Sequence, residues 1–135
     1  MRIFASSIYV GLMALLLVVL SLRVIRLRYR HKVEIGDGDV PELHRAIRAH
    51  ANFIEYVPLA LLLILMADLV GHEKWVVHLL GIALLIGRLA HAYGFTTTPG
   101  LSPGRGFGVA LTTLVLVAGA GLAIAAFFGI RVGPV

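Results

Sequence analysis

Residues Ile3 to Leu22 form an unbroken run of twenty uncharged side chains, and Gly106 to Ile130 form another of twenty-five, toward the two ends of a chain of 135 residues. At about 1.5 Å per residue, either run crosses the roughly 30 Å hydrocarbon layer of a membrane. In that layer every backbone N–H and C=O must find a partner inside the protein, and a long uncharged run without alternation meets this demand as a helix. The composition agrees: 59% of residues are hydrophobic and 14% charged, against an apolar share of about 45–50% in soluble domains. The expectation is an all-α membrane protein, with residues 1–135 as a single transmembrane domain. No small-x-small cleavage site precedes Arg23, so the first run reads as an uncleaved span rather than a signal peptide.

The first helix, over about 3–30, ends in a basic collar of Arg23, Arg26, Arg28, Arg30 and Lys32. Gly36-Asp37-Gly38-Asp39-Val40-Pro41 follows as a turn-rich connector, with Pro41 suited to the first turn of the next helix. Helix two is expected over about 41–69, with its first turns standing out of the membrane and a kink at Pro58, which has no amide hydrogen. Helix three spans about 75–95, opening on the interfacial Trp75. Residues Thr96 to Arg105 read as a loop from their proline and glycine content, and helix four covers about 106–130. Its Gly108, Gly119, Ala120 and Gly121 permit close helix packing.

Nine of the twelve basic residues fall on one side of these spans and Arg2, Lys74 and Arg131 on the other. Excess Lys and Arg mark the cytosolic side, so both termini are placed outside the cytosol and the net charge of +5 reflects topology rather than nucleic-acid binding. Short connectors after helices two and three make the helices antiparallel neighbours in a four-helix bundle.

The inner helices break the apolar rule at one depth. Arg48, Asn52 and Glu55 stand at i, i+4 and i+7 on helix two, one above another on a single face, and Arg88 and His91 sit in the cytosolic half of helix three. Charge in a membrane span costs about 3 kcal/mol at the centre, so such groups face protein, water or one another. Glu55 with Arg88 is a plausible ion pair. Guanidiniums grip carboxylates bidentately, while a carboxylate receives an ammonium and an amide matches an amide. The face therefore suits a polyanionic, peptide-like ligand entering from the cytosol, or serves only to lock the two helices together. The chain has no cysteine, its histidines form no i, i+4 pair and no His-Glu-x-x-His motif occurs, so no metal site is expected.

Arg48-Ala49-His50-Ala51-Asn52-Phe53-Ile54-Glu55-Tyr56-Val57-Pro58, followed one helix later by Gly87-Arg88-Leu89-Ala90-His91, resembles the membrane-associated proteins of eicosanoid and glutathione metabolism, the MAPEG family. The resemblance runs from the basic end of helix one, through Gly36-Asp37-Gly38, to the start of helix four. It implies a homotrimer of four-helix protomers, with glutathione as co-substrate bound between subunits near the cytosolic face. The positions it matches to the ligand are Arg28 or Arg26, then Arg48, Asn52 and Glu55, then Arg88 and His91. In the leukotriene-forming and prostaglandin-forming synthases an arginine near the start of helix four stabilises the glutathione thiolate, and Arg105 is the residue here that matches it. A tyrosine late in helix three of those synthases corresponds to Phe95, with Tyr93 the nearest phenol, and an arginine before the asparagine is replaced by Ala51.

The resemblance is strongest to small bacterial inner-membrane members and implies a multi-pass protein of the bacterial inner (plasma) membrane, both termini periplasmic. The implied activity is that of a glutathione S-transferase or glutathione-dependent peroxidase acting on lipophilic electrophiles or lipid hydroperoxides drawn from the bilayer, with membrane lipids around it. The alternative is a non-catalytic membrane scaffold or ligand-binding protein whose buried charges are structural.

Overall fold

The computed structural model describes residues 4–133. Ile3, the expected start of helix one, and the basic Arg2 lie outside the described residues. The chain is all-helical, in the order α1 (Ser6–His31), α2 (Pro41–Val70), α3 (Lys74–Thr97) and α4 (Pro103–Phe127). Each of the four helices is long and apolar enough to cross a membrane.

Helix ends follow local chemistry. Pro41 and Pro103 each sit in a first turn, where a missing N–H costs nothing because that group has no helical partner. Residues 103–105 therefore join α4 rather than the preceding loop. Ser102 caps it, its hydroxyl accepting from the Arg105 N–H, so Arg105 belongs to the first helical turn. At the other end Gly129 adopts φ 76°, and the Ile130 and Gly129 N–H groups bond the carbonyls of Ala125 and Ala126. That six-to-one and five-to-two pattern stops the helix at Phe127, although the uncharged run continues. The α3 helix outlasts Phe95 because the Thr96 and Thr97 hydroxyls bond back to the carbonyls of Ala92 and Tyr93. Pro58 lies inside α2, which is helical on both sides of it.

In the connector after α1, the His44 ring bonds the Asp37 carboxylate at 2.6 Å. This bond, with the Asp39 N–H next in importance, holds the Asp37 carboxyl below its usual range. The tie is complete at neutral pH and is lost as pH falls through that lowered value.

The α2 helix touches the other three; α1 packs on α2 and α3, and α4 on α3 and α2, with no α1 to α4 contact among the described residues. The core lies between them: Met13 and Leu20 of α1, Phe53, Val57, Ala60 and Ile64 of α2, Val77, Leu80 and Leu84 of α3, and Val115 of α4. On α2 these positions recur at intervals of three and four, the stripe that a helix turns toward its neighbours.

Glycines set the closest approaches. A Cβ on Gly108 would collide with the Gly87 carbonyl and with His91, and one on Gly81 would enter the ring of Tyr9. Tyr9 in turn bonds His78 Nδ1 at 2.7 Å. The expected close packing of α4 thus falls on Gly108 and Gly119, while Gly121 faces open space.

The end of the bundle opposite the basic collar is tied by polar groups that belong to no motif of the sequence. Asp68 is fully buried and accepts from the Ser6 N–H at 2.7 Å and from Lys74 Nζ at 2.5 Å. A carboxylate at the first N–H of α1 satisfies an orphan donor and complements the positive end of the helix dipole. Buried His72 accepts at Nδ1 from the Val132 N–H at 3.0 Å, and the Glu73 N–H donates to the Val132 carbonyl.

The packing predicts opposite outcomes for two glycines of one helix. Gly108→Ala should cost about 1–3 kcal/mol through overpacking, whereas Gly121→Ala, whose Cβ meets open space, should stabilise by up to about 1 kcal/mol through helix propensity, both read from thermal unfolding in detergent.

Candidate functional site

Arg88 is the organising residue of the half nearer the basic collar. It lies nine residues before the end of α3, so about 14 Å inside that end at 1.5 Å per residue, and is 2% exposed. A guanidinium taken out of water loses several kcal/mol of hydration, which only well-placed acceptors and π-faces offset. Its Nη2 donates to Asn52 Oδ1 at 3.0 Å, and its carbon lies 5.6 Å from the centre of the Phe53 ring, within cation–π range. The same nitrogen stands 3.4 Å from His91 Nδ1. A guanidinium can only donate, so His91 accepts at Nδ1 and carries its hydrogen on Nε2.

The array continues into α4. His91 is buried and meets Phe95 edge to face, with ring centres 5.0 Å apart. The guanidinium of Arg105 then covers Phe95 at 4.8 Å from its centre. Asn52, Arg88, His91, Phe95 and Arg105 thus form one connected line across α2, α3 and α4. Gly94 permits the crossing, since a Cβ there would strike Ser102 and Arg105.

The expected pair of Glu55 with Arg88 does not form. Glu55 and Arg48 are exposed on the outward face of α2, with Asn52 half-buried between them. Only Asn52 reaches inward, because it stands one turn from Arg48 toward the side of α2 that faces α3. The outward stripe runs on through Leu59, Leu62, Met66 and Leu69, all exposed, at alternating intervals of three and four.

The collar arginines separate. Arg28 lines a cleft of about 630 Å³ with Ile25, Tyr29, Lys32, Val33 and Glu34, its Nη1 donating to the carbonyls of Val33 at 3.4 Å and Glu34 at 3.0 Å. Arg26 lines a different cleft, so the two do not share one site within a protomer. Tyr93 is 69% exposed and is not brought to His91, being on the outer side of α3. Four side-chain atoms stay buried without a partner among the described residues: Arg88 Nε and Arg45 Nε toward the basic collar, and Ser6 Oγ and His72 Nε2 at the opposite end of the bundle.

The whole pattern coincides with a known family. The MAPEG family model matches residues 6–125, through all four helices. The chain belongs to the MAPEG family. It is 50% identical over 90 residues to the inner membrane protein YecN of Escherichia coli strain K12, spanning 67% of this chain and 69% of that protein. The match to YecN of Escherichia coli O6:H1 has the same extent and identity. As a MAPEG member, the chain is a four-helix membrane protein. Within that frame Phe53 is a site residue that sequence reasoning missed, its signal being its position beside Asn52 alone. Phe95, which stands where the synthases carry a tyrosine, proves to be the link between His91 and Arg105.

If Asn52 holds the guanidinium, its loss must register in stability. Asn52→Leu should destabilise by about 1–3 kcal/mol, since it leaves a buried donor unpaired, and adding Arg88→Met should recover much of that loss. Arg48→Ala, at an exposed position, should change stability by under about 0.5 kcal/mol. Thermal unfolding of the purified protein in detergent measures all three.

Proposed function

We propose that the protein binds glutathione at the cytosolic end of α2 and α3 and transfers its thiolate to lipophilic electrophiles, or uses it to reduce lipid hydroperoxides. The observation that carries this reading is the charged outward face of α2. Arg48 and Glu55 are exposed at the level of buried Arg88, and lipid is the wrong neighbour for both, so protein or a polar ligand covers them. The unpartnered Nε atoms of Arg88 and Arg45 point the same way. A neighbouring copy of the chain, in the homotrimer proposed from the family, supplies the cover. Its cleft around Arg28, whose guanidinium is anchored by two backbone carbonyls, faces the ligand from the other side.

Glutathione matches these groups by charge. Its two carboxylates meet Arg48 and Arg28, its ammonium meets Glu55, and its amides meet the side chain of Asn52. Arg88 and His91 hold Asn52 and Phe95 in place beneath it. The thiol falls to Arg105, at the positive end of α4, where a cation and the helix dipole both favour the thiolate over a thiol of ordinary pKa near 8.5. In conjugation the sulfur lone pair forms a bond to an electrophilic carbon and the leaving group departs with its electron pair. In peroxide reduction sulfur attacks the terminal oxygen, the O–O bond breaks and an alcohol leaves, and a second glutathione yields the disulfide and water. Tyr93, outward on α3, stands where a lipophilic partner arriving from the bilayer would pass. The resemblance to YecN, together with the four apolar helices, supports a multi-pass protein of the inner membrane; the excess of Lys and Arg at one end of the spans is the ground for putting the site on the cytosolic side and both termini in the periplasm.

Glutathione titration by calorimetry, conjugation of a chlorinated nitrobenzene and reduction of a lipid hydroperoxide test the reading together. Arg48→Ala should abolish binding without unfolding the protein. Arg105→Ala should bind normally, turn over about tenfold more slowly and shift the rate profile about one pH unit alkaline, because losing the cation raises the thiol pKa. Binding without turnover in the wild type would leave a ligand-binding role, and no binding at all would leave a scaffold. Native mass spectrometry in mild detergent that shows only monomers would remove the shared site.

A further inference from the structure

The basic collar of α1 divides into two faces, and only one has a place in the proposed glutathione site. Arg28 and Lys32 line the first cleft. Arg23, Arg26 and Arg30 line a second, of about 540 Å³, with Val19 and Leu27 of α1 and Glu42 of α2. Along the helix Arg23, Arg26 and Arg30 are separated by three and then four residues, so their side chains rise on one face. Arg26 and Arg30 are exposed and Arg23 partly buried.

Arg23 is held in place. Its Nη1 donates to the Thr96 hydroxyl at the end of α3, and that hydroxyl donates onward to the Ala92 carbonyl. One of five guanidinium donors is used by this bond. Toward the membrane the same face of α1 continues as Val19, 60% exposed, and Leu15, 65% exposed. An open apolar strip therefore runs directly into a cleft of three guanidiniums and one carboxylate, where the helix leaves the hydrocarbon layer.

We infer that this cleft binds the phosphodiester headgroup of an anionic phospholipid, with an acyl chain lying on Val19 and Leu15. The charge sum of the cleft is +2, three arginines less Glu42, which complements a phosphodiester. Glu42 accepts a hydroxyl of a glycerol headgroup and disfavours a second anionic group. A bias of positive residues toward the cytosol accounts for cations on every face of the collar. It does not account for their convergence with an apolar strip on one face, or for an arginine tied to another helix.

The inference is independent of the glutathione reading, since Arg26 lies on the opposite side of the collar from the cleft of Arg28. Its test is native mass spectrometry of the detergent-purified protein after incubation with palmitoyl-oleoyl phosphatidylglycerol or the matching phosphatidylcholine. The wild type should retain phosphatidylglycerol and shed phosphatidylcholine. Arg26→Gln with Arg30→Gln should lower phosphatidylglycerol retention about tenfold or more, two interfacial cations being removed. Arg28→Gln with Lys32→Gln, an equal loss of charge on the other face, should retain it. A melting temperature equal to wild type in each double variant shows that the fold is kept, and Arg26→Lys with Arg30→Lys should restore retention if either glutamine variant unfolds. Equal loss in both glutamine doubles would overturn the proposal in favour of unlocalised electrostatics. Equal retention of the two lipids by the wild type, or displacement of the lipid by free glycerol phosphate, would overturn it as well.

Discussion

The half of this bundle nearer the basic collar rests on one buried cation. Arg88 cannot be hydrated where α3 carries it, so it draws in whatever can accept hydrogen bonds or present a π-face: Asn52 and Phe53 from α2, and His91 one turn along its own helix. These contacts fix the rotation of α2 against α3 more sharply than leucine packing would, because sliding by one residue would strand a charge in the membrane. With α2 so rotated, Arg48 and Glu55 are left on the outside. A charged group on the inside thus determines which charged groups face out.

The two ends of the molecule spend their polar groups differently. At the end opposite the collar, Asp68 takes the first N–H of α1 and Lys74, and His72 takes the backbone of Val132, linking the start of α1, the turn between α2 and α3 and the segment after α4. At the collar end the arginines of the collar and of α2 line clefts or stand exposed. The aromatic pair of Phe95 with Arg105 brings the first turn of α4 to the same opening, where the dipole of that helix is positive.

Much of this was legible in order along the chain. Long uncharged runs give helices in a membrane because nothing else there satisfies the backbone. The prolines at 41 and 103 mark helix starts, although only the cap from Ser102 reveals that Arg105 is helical rather than in a loop. The spacing of Arg48, Asn52 and Glu55 was enough to place them on one face. It was not enough to choose a partner for Arg88, since Glu55 and Asn52 are both within a turn of the right depth. The tie around Asp68, at the end opposite the collar, was hidden because one carboxylate near a helix end carries no periodic signal.

What the sequence by itself determined is the number of spans and the depth at which charge enters them, since these follow from hydrophobic length and residue type. What only the tertiary structure decided is direction around each helix axis. The amide of Asn52, rather than the carboxylate of Glu55, turns inward to the guanidinium, Arg26 and Arg28 part to different clefts, and Tyr93 faces away from His91. Rotation is settled by contacts between segments far apart in the chain, where a glycine such as Gly108 or Gly94 lets two backbones approach and a buried charge selects its acceptor, and one-dimensional spacing contains neither.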